Sequence, residues 1–173
     1  MSTGNEQELI ARIVGGEGEL YGELIDRYKT GLYYHCFAIV RDEDRAEDVA
    51  QEAFIQAYRQ LAKYDSAYRF STWLYKIATH KAIDALRTKQ TVPLDDETLD
   101  SIASNLPPTE RQAIHRELHD AVAALPDKYR TVISLHYWQG KSYEEIAVIM
   151  DAPEGSVKGW LYRAKQQLKE ALS

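Results

Sequence analysis

A basic helix face near the carboxyl end is the strongest chemical feature of this sequence. Residues 156–169 contain four Lys or Arg side chains and no carboxylate. Helical spacing would bury a stripe running from Val157 to Leu168 and leave the cations exposed, as in a DNA-reading helix that meets phosphates and base edges. The alternative is an ordinary solvated amphipathic helix. The side chains predicted to face duplex DNA are Ser156, Lys158, Trp160, Arg163 and Lys165.

A second candidate binding face lies within residues 71–88, where cations and an aromatic ring recur at helical spacing. This pattern is typical of single-stranded DNA binding, in which phosphates pair with cations and bases stack on rings. The alternative is that Trp73 belongs to the core. The residues of this face are Trp73, Lys76, His80, Asp84 and Arg87. Further stacking candidates just upstream are Tyr64, Tyr68 and Phe70.

The helix predicted over residues 43–63 carries the opposite charge. Its outward positions are mostly carboxylates, which would repel nucleic acid and suit a basic protein partner. A stripe of this kind is also typical of plain solvated surface. The outward residues are Asp44, Glu47, Asp48, Gln51 and Glu52. The inward residues are Ala46, Ala50, Ala53, Phe54, Ala57, Tyr58 and Leu61.

Patterns typical of catalysis or metal binding are weak. His115 and His119 have the i, i+4 spacing of a zinc-protease helix, but Glu117 stands at the wrong position and no further ligand is evident. His35, beside Cys36, lies in an apolar segment and is expected to pack. Because no phosphate-binding glycine loop or nucleophile elbow occurs, we expect no enzyme activity, no metal and no cofactor.

Composition narrows the class of protein. The chain has 173 residues, of which 45% are hydrophobic and 28% charged, and this excludes a disordered, collagen-like or disulfide-rich protein. A single cysteine, Cys36, can form no internal disulfide, which favours a reducing compartment and predicts a cytoplasmic location. No apolar run is long enough for a membrane span or an export signal, so we expect no membrane insertion.

Charge and proline divide the chain into two parts. The net charge of −6 splits into −2 for residues 1–90, −4 for 91–115 and 0 for 116–173. Three of the five prolines and no basic residue lie between Thr91 and Thr109, which predicts a flexible acidic linker. We therefore expect an all-α fold of two small helical domains, 1–90 and 116–173, joined by a linker over 91–115.

Apolar spacing and helix-end signals predict the individual helices. Ser142 with Glu145 forms a capping-box pattern, and Asp151 with Glu154 repeats its spacing. Two short helices around the tight turn between them indicate a helix-turn-helix. The predicted helices are 5–14, 18–39, 43–63, 71–88, 110–124, 127–138, 142–150 and 154–171.

Three stretches of the chain together resemble one known family. They are RDEDRAEDVAQEAFIQAYRQL, FSTWLYKIATHKAIDALR and ALPDKYRTVISLHYWQGKSYEEIAVIMDAPEGSVKGWLYRAKQQL. In this order and spacing they resemble regions 2 and 4 of the extracytoplasmic-function sigma factors, the smallest members of the sigma-70 family. The patterns AED-x-x-QE-x-F and TWLY-x-IA-x-x-x-AID-x-LR are far more specific than a helix-turn-helix alone.

The resemblance implies a role for each part of the chain in promoter-specific transcription initiation. Region 2 would bind the clamp helices of the largest subunit of core RNA polymerase and capture the melted minus-ten element through the face from Trp73 to Arg87. Region 4 would read the minus-thirty-five element as duplex, and the linker would pass near the active-site and RNA-exit path. An anti-sigma factor would cover these surfaces. The implied polymerase contacts are Asp48, Gln51, Glu52 and Phe54.

The chain departs from the family pattern at several binding positions. His80 stands where Asn is usual, and Gly159-Trp160 replaces Ser-Arg in the recognition helix. The missing Arg removes a donor to phosphates or base edges from that helix, and Gly159 in a helix costs about 1 kcal/mol relative to Ala. Asp151 stands at a turn position usually held by Gly, which Asp tolerates because it visits left-handed conformations.

Two other classes of protein stay open on residues alone. A stand-alone helix-turn-helix regulator would account for the second domain but not for the TWLY helix or the acidic stripe. A protein-interaction adaptor would account for the acidity. Binding to core polymerase separates both from a sigma factor.

Overall fold

The computed structural model describes residues 3–89 and 110–173, and these ranges contain helices and turns without a strand. The predicted all-α class is therefore confirmed. No helix in the described ranges is long and apolar enough to cross a membrane. The α-helices are α1 (Thr3–Val14), α2 (Tyr21–Val40), α3 (Glu43–Arg59), α4 (Phe70–Lys89), α5 (Glu110–Ala123), α6 (Asp127–Ile133), α7 (Tyr143–Met150) and α8 (Glu154–Leu172).

All eight predicted helices are present, with differences at their ends. The segment expected as a helix from residue 18 starts as a 3₁₀ turn, Gly18–Leu20, before α2. The helix predicted over residues 43–63 ends at Arg59 and is followed by a second 3₁₀ turn, Leu61–Lys63. Residues Ser134–Trp138, expected to continue α6, form a π-helical turn instead.

The predicted linker lies largely outside the described residues. Its last part does not, because residues 110–115 belong to α5. The helical part of the second domain therefore begins before the boundary predicted at residue 116. Sequence composition placed that boundary by proline and charge, which do not mark the first turn of a helix.

The first domain is built around α2, α3 and α4, which pack on one another. Their facing side chains are fully buried aliphatic and alanine residues, including Leu32, Ala53 and Leu74. The small alanine side chains of α3 allow its backbone to approach its neighbours closely. Asp42 caps the start of α3, its Oδ1 accepting a hydrogen bond of 3.0 Å from the Arg45 amide.

The second domain contains the helix-turn-helix, α7 and α8. The predicted capping box is confirmed: Ser142 Oγ accepts from the Glu145 amide at 3.1 Å, and Glu145 Oε2 accepts from the Ser142 amide at 2.8 Å. The second predicted box is wrong, since α8 is capped by Pro153 without a side-chain bond. Asp151 instead ends α7 in the left-handed conformation, with φ 50° and ψ 48°.

The two domains lie against each other along two contacts. Helix α7 packs on α4, and α6 with the π turn packs on α2. Arg130 of α6 links them, donating to the carbonyls of Ala38 and Ile39 at 2.9 and 2.7 Å. These carbonyls lie in the last turn of α2, where a helix has no partners of its own for them. An arginine of one domain thus supplies hydrogen-bond donors to carbonyls at the end of a helix in the other domain.

Candidate nucleic-acid interfaces

Helix α8 buries the face that its spacing predicts. Val157, Leu161 and Ala164 are buried, and Leu168 is half-buried. Of the residues predicted to contact duplex DNA, Lys158 and Arg163 are exposed. Lys158 lies 3.7 Å from Glu154 one turn earlier, an exposed i, i+4 pair that leaves its ammonium accessible to phosphate.

The other residues predicted on the α8 face are partly engaged within the domain. Trp160 is half-buried, and the Lys128 ammonium sits 4.7 Å from its ring centroid. Lys165 is exposed, but its ammonium lies 5.5 Å from the Tyr137 ring, and a hydrogen bond to that tyrosine raises the pKa of Lys165. Ser156 is half-buried near the start of the helix. The cationic surface of α8 therefore includes Lys128, which the sequence pattern missed because it lies on another helix.

The face predicted on α4 is partly covered by the second domain. Lys76 Nζ lies 2.8 Å from Asp151 Oδ1, and His80 Nε2 lies 3.3 Å from Asp151 Oδ2. His80 Nε2 also lies at hydrogen-bonding distance, 3.2 Å, from the carbonyl oxygen of Ile149. Further along α4, Asp84 and Arg87 are exposed and 3.9 Å apart. The predicted face thus exists as one surface, half of it in contact with the end of α7.

The aromatic residues at the start of α4 form a packed cluster. Phe70 is fully buried, so the expectation that it stacks on a base is wrong. Trp73 is half-buried, with its ring 5.3 Å from Tyr64 and 5.9 Å from Phe70 between centroids. Tyr68 is half exposed at the surface. The core alternative for Trp73 therefore applies to the part of its ring that packs in this cluster, while the rest of the ring is exposed.

The acidic face of α3 lies where the spacing predicts. Asp48, Gln51 and Glu52 are exposed, and Gln51 donates weakly to Glu47 at 3.4 Å. Phe54 does not share this face: its side chain is only 7% exposed, and its carbonyl accepts a hydrogen bond of 2.6 Å from the Tyr21 hydroxyl. Placing Phe54 among the polymerase contacts was therefore wrong. The helical spacing had placed Phe54 among the inward residues of α3, and this spacing predicted its burial better than the family motif did.

A buried polar network between the domains was not predicted. His35 is fully buried, and its two ring nitrogens lie 2.8 Å from Ser134 Oγ and 2.8 Å from Thr79 Oγ1. Burial lowers the pKa of His35 to about 3, with a smaller contribution from the Lys141 charge. Lys141, itself buried, donates to Ser71 at 2.8 Å. Sequence reasoning assigned His35 to packing, which is confirmed, but it gave no sign of partners so distant in the chain.

The histidine pair on α5 is a surface feature. His115 and His119 are exposed, with ring centroids 4.8 Å apart, and His119 stacks on Trp138 at 5.7 Å. Within the described ranges, no group of three His, Cys, Asp or Glu side chains could hold a metal ion. Cys36 is buried, and burial raises the pKa of its thiol to about 12.

An apolar groove of about 640 Å³ runs between the domains beside this pair. Exposed rings of α2 and of the π turn line it, with Tyr34, Phe37 and Trp138 prominent. Arg41 lies at its edge and donates to the Ala123 carbonyl at 3.0 Å. Its floor and walls come from both domains, so a ligand of this groove would hold them together.

Comparison with known proteins agrees with this division of the chain. Residues 24–92 match the family model for sigma-70 region 2, and residues 115–168 match the model for sigma-70 region 4. The ECF RNA polymerase sigma factor SigW of Bacillus subtilis (strain 168) is 34% identical over 94% of this chain and 94% of its own.

Two solved structures share the fold. CnrH, in complex with the cytosolic domain of CnrY, has a TM-score of 0.69 and 23% identity over 95% of this chain and 94% of its own. The sigma factor RpoE of Bartonella quintana, in complex with the anti-sigma factor NepR, has a TM-score of 0.71 and 19% identity over 88% of this chain and 96% of its own.

The chain therefore belongs to the extracytoplasmic-function sigma factors of the sigma-70 family. It functions in promoter recognition and transcription initiation, with region 2 formed by α2 to α4 and region 4 by α5 to α8.

Proposed function

We propose that three surfaces divide the work of this sigma factor. The exposed face of α3 binds the clamp helices of the largest subunit of core RNA polymerase through Asp48, Gln51 and Glu52. The face of α4 captures the melted minus-ten element, and the face of α8 reads the minus-thirty-five element as duplex. The observation that carries the assignment is the separation of charge, with exposed carboxylates on α3 and exposed cations on α4 and α8.

The minus-ten assignment is supported by the chemistry of α4. Lys76, His80 and Arg87 offer hydrogen-bond donors along one side of the helix, and phosphates and bases of an unpaired strand are acceptors. Trp73 adds a partly exposed ring at the amino-terminal end of the same surface. Asp84 accepts hydrogen bonds and can discriminate among the exocyclic amino groups of unpaired bases.

The test is promoter melting by reconstituted holoenzyme, followed by permanganate footprinting. Lys76→Ala and His80→Ala should each melt the minus-ten region less than the parent while retaining core binding. Lys29→Ala, an exposed lysine on α2 outside the proposed surfaces, is the matched control. Melting equal to the parent in both variants would remove α4 as the reading surface.

The minus-thirty-five assignment is supported by the helix-turn-helix geometry and by the cations of α8. Lys158 and Arg163 project from the exposed side of the second helix, the side that enters a major groove in this motif. The target sequence is best found by in-vitro transcription of a genomic library with the reconstituted holoenzyme. Transcription from this library without any preference for an upstream sequence would contradict this assignment.

We also propose that an anti-sigma factor binds the chain in the groove between the domains. The support is the fold shared with the sigma factor RpoE, solved in complex with the anti-sigma factor NepR, and the exposed rings that line the groove. Trp138→Ala should weaken capture by a cognate inhibitor, whereas Tyr162→Ala, which removes a more exposed ring on α8, should not.

The protein is proposed to act by binding alone, with no catalytic step or cofactor of its own, and in the cytoplasm, where core polymerase works. Pull-down with core polymerase separates this from a stand-alone regulator or an adaptor. A regulator would bind duplex DNA without core, and an adaptor would bind neither core nor promoter.

A further inference from the structure

We propose that two lysines at opposite edges of α8 bind the two phosphate backbones that border the major groove. They are Lys128 of α6 and Lys165 of α8, and an aromatic ring positions each of them. Trp160 positions Lys128, and Tyr137 positions Lys165. The inference rests on the proposed reading of the minus-thirty-five duplex by α8, and it adds Lys128 and the two rings to that surface.

The first edge of α8 combines Trp160 with a lysine from another helix. Lys128 lies in the first turn of α6, which packs on α8, and its ammonium is 4.7 Å from the centroid of the Trp160 ring. The lysine is exposed, whereas the indole is half-buried and therefore held against the helix. A cation over an indole is attracted by the negative charge density of the ring face. Trp160 thus keeps the Lys128 ammonium beside α8.

The second edge of α8 has the same chemistry with the roles of the elements exchanged. Here the lysine belongs to α8 and the ring belongs to the π turn. The Lys165 ammonium lies 5.5 Å from the centroid of the Tyr137 ring and donates a hydrogen bond to the hydroxyl of that tyrosine. Both side chains are exposed. Each edge therefore carries an ammonium that a ring on a neighbouring element holds in place.

The two edges lie on opposite sides of the face that would enter the groove. Trp160 and Lys165 are five residues apart, which places them about 140° apart across the buried stripe of α8. The exposed face, with Lys158 and Arg163, occupies the remaining arc of about 220° between them. The two ring-held lysines therefore stand where the exposed face meets the body of region 4.

The dimensions of DNA match this arrangement. An α-helix with its side chains is about 10–12 Å across, and the major groove is about 12 Å wide. When the exposed face of α8 points at the base edges, side chains at its two edges therefore meet the two sugar-phosphate backbones. Phosphates attract ammonium groups whatever the base sequence, so these lysines should fix the position of α8 without selecting bases.

A ring restricts a lysine without neutralising it. The described ranges contain no ion pair between a carboxylate and Lys128 or Lys165, whereas Lys158 lies 3.7 Å from Glu154. The charge of both ring-held lysines is therefore available to phosphate. Because Trp160 stands where the family pattern has arginine, Lys128 also returns a positive charge to this edge of α8.

The salt dependence of binding measures how many phosphates the protein neutralises. The probe is a promoter duplex recovered by transcription of the genomic library, and the affinity of reconstituted holoenzyme for it is measured at several salt concentrations. Lys128→Ala should reduce the slope of log affinity against log salt by about 0.9 and weaken different minus-thirty-five sequences nearly equally. Lys29→Ala, which removes an exposed lysine of α2, should keep the slope of the parent.

The same slope tests the positioning role of the rings, because a ring carries no charge of its own. Trp160→Ala should lower the slope when Lys128 is present and leave it unchanged when Lys128 is already alanine, while Trp160→Phe retains a ring and should restore most of the slope. Tyr137→Ala should act in the same way through Lys165. Tyr162→Ala, which removes an exposed ring with no lysine over it in the described ranges, is the matched control. Thermal unfolding of each variant shows that region 4 remains folded.

The assignment of the lysines to two backbones has a separate test. Single uncharged methylphosphonates are placed in turn at the phosphates of each strand around the minus-thirty-five element. The parent should lose affinity at contacted phosphates on both strands. Lys128→Ala should abolish this loss on one strand only, and Lys165→Ala should abolish it on the other.

Three results would overturn the proposal. They are an unchanged salt slope for Lys128→Ala, a slope for Trp160→Ala that does not depend on Lys128, and two lysines that map to the same strand. Failure of the minus-thirty-five assignment gives a different pattern, because Lys158→Ala and Arg163→Ala would then also keep the affinity and slope of the parent. If only the present inference fails, those two variants still weaken binding.

Discussion

His35 and Ser134 lie 99 residues apart in the chain, yet a hydrogen bond of 2.8 Å joins them inside the protein. Both side chains are fully buried, and the second ring nitrogen of His35 is taken by Thr79 at 2.8 Å. The imidazole thus joins α2 to α4 and to the π turn of the other domain. Two hydroxyl partners fit a neutral ring, because each hydroxyl can either donate or accept.

Acid should destabilise the protein through His35. The pKa of His35 is about 3 in the folded state and 6.5 for an unperturbed histidine, so the unfolded chain binds the proton first as the pH falls. This contribution to stability is complete above pH 6.5 and is lost progressively toward pH 3. Between pH 6.5 and pH 5 the free energy of unfolding should fall by about 2 kcal/mol from this residue.

Urea unfolding at pH 7.5 and pH 5 measures the effect of His35. His35→Gln should be less stable than the parent at pH 7.5, but its free energy of unfolding should fall less between pH 7.5 and pH 5. His119→Gln changes an exposed histidine and should lose as much stability at pH 5 as the parent does. If His35→Gln does not fold, NMR of the parent decides the point. A charged His35 ring in folded protein at pH 5 would contradict the prediction.

Arg130→Lys should loosen the contact between α6 and α2. The guanidinium donates to three carbonyls, those of Leu125, Ala38 and Ile39, and an ammonium cannot reproduce this planar fork. Leaving two of these buried acceptors unpaired should cost about 3 kcal/mol in urea unfolding. Arg87→Lys, exposed on α4, is the control and should change stability little.

Charge reversal on α3 should weaken binding to core polymerase. Asp48→Lys with Glu52→Lys reverses the charge of the face that we propose binds a basic surface of the polymerase, and affinity should fall at least about tenfold, or 1.4 kcal/mol. Fluorescence anisotropy measures it. Glu23→Lys with Asp26→Lys gives the same change in net charge on α2 and should bind as the parent. Equal losses in the two double variants would indicate a general charge effect rather than a docking face.

Trp73→Ala should lower stability as well as promoter melting. The ring packs on Tyr64 and Phe70, so its removal opens space at the edge of the core and should cost roughly 3 kcal/mol. Trp73→Phe retains an aromatic ring in this position. If thermal unfolding shows Trp73→Ala to be as stable as the parent, the predicted contribution of the ring to the core is wrong.

Changes on α8 should separate phosphate contacts from base reading. Lys165→Ala should weaken all minus-thirty-five variants nearly equally and reduce the salt slope of binding by about 0.9. Trp160→Arg should instead change their ranking, because arginine can pair with guanine in two places while indole has one donor and no acceptor. A binding selection with holoenzyme measures both. An unchanged ranking and affinity for Trp160→Arg would place Trp160 outside the DNA interface.

Local sequence determined the helices and most of their exposed faces. Apolar spacing of three and four residues places Val157 and Leu161 inside and Lys158 outside by helix geometry alone, and the Ser142–Glu145 box follows from hydrogen bonds within one turn. The family resemblance depends on the same local patterns. Where motif and spacing disagreed, at Phe54, the spacing was correct, because burial of a large ring outweighs its place in a motif.

Only the tertiary structure decided which residues meet across the chain. Nothing in the spacing of α4 indicates that Asp151 lies against Lys76, or that Arg130 completes the last turn of α2. Such contacts depend on how two packed domains are oriented. That orientation is set by the sum of many weak interactions between surfaces far apart in the sequence, whereas a helix is set by neighbours within four residues.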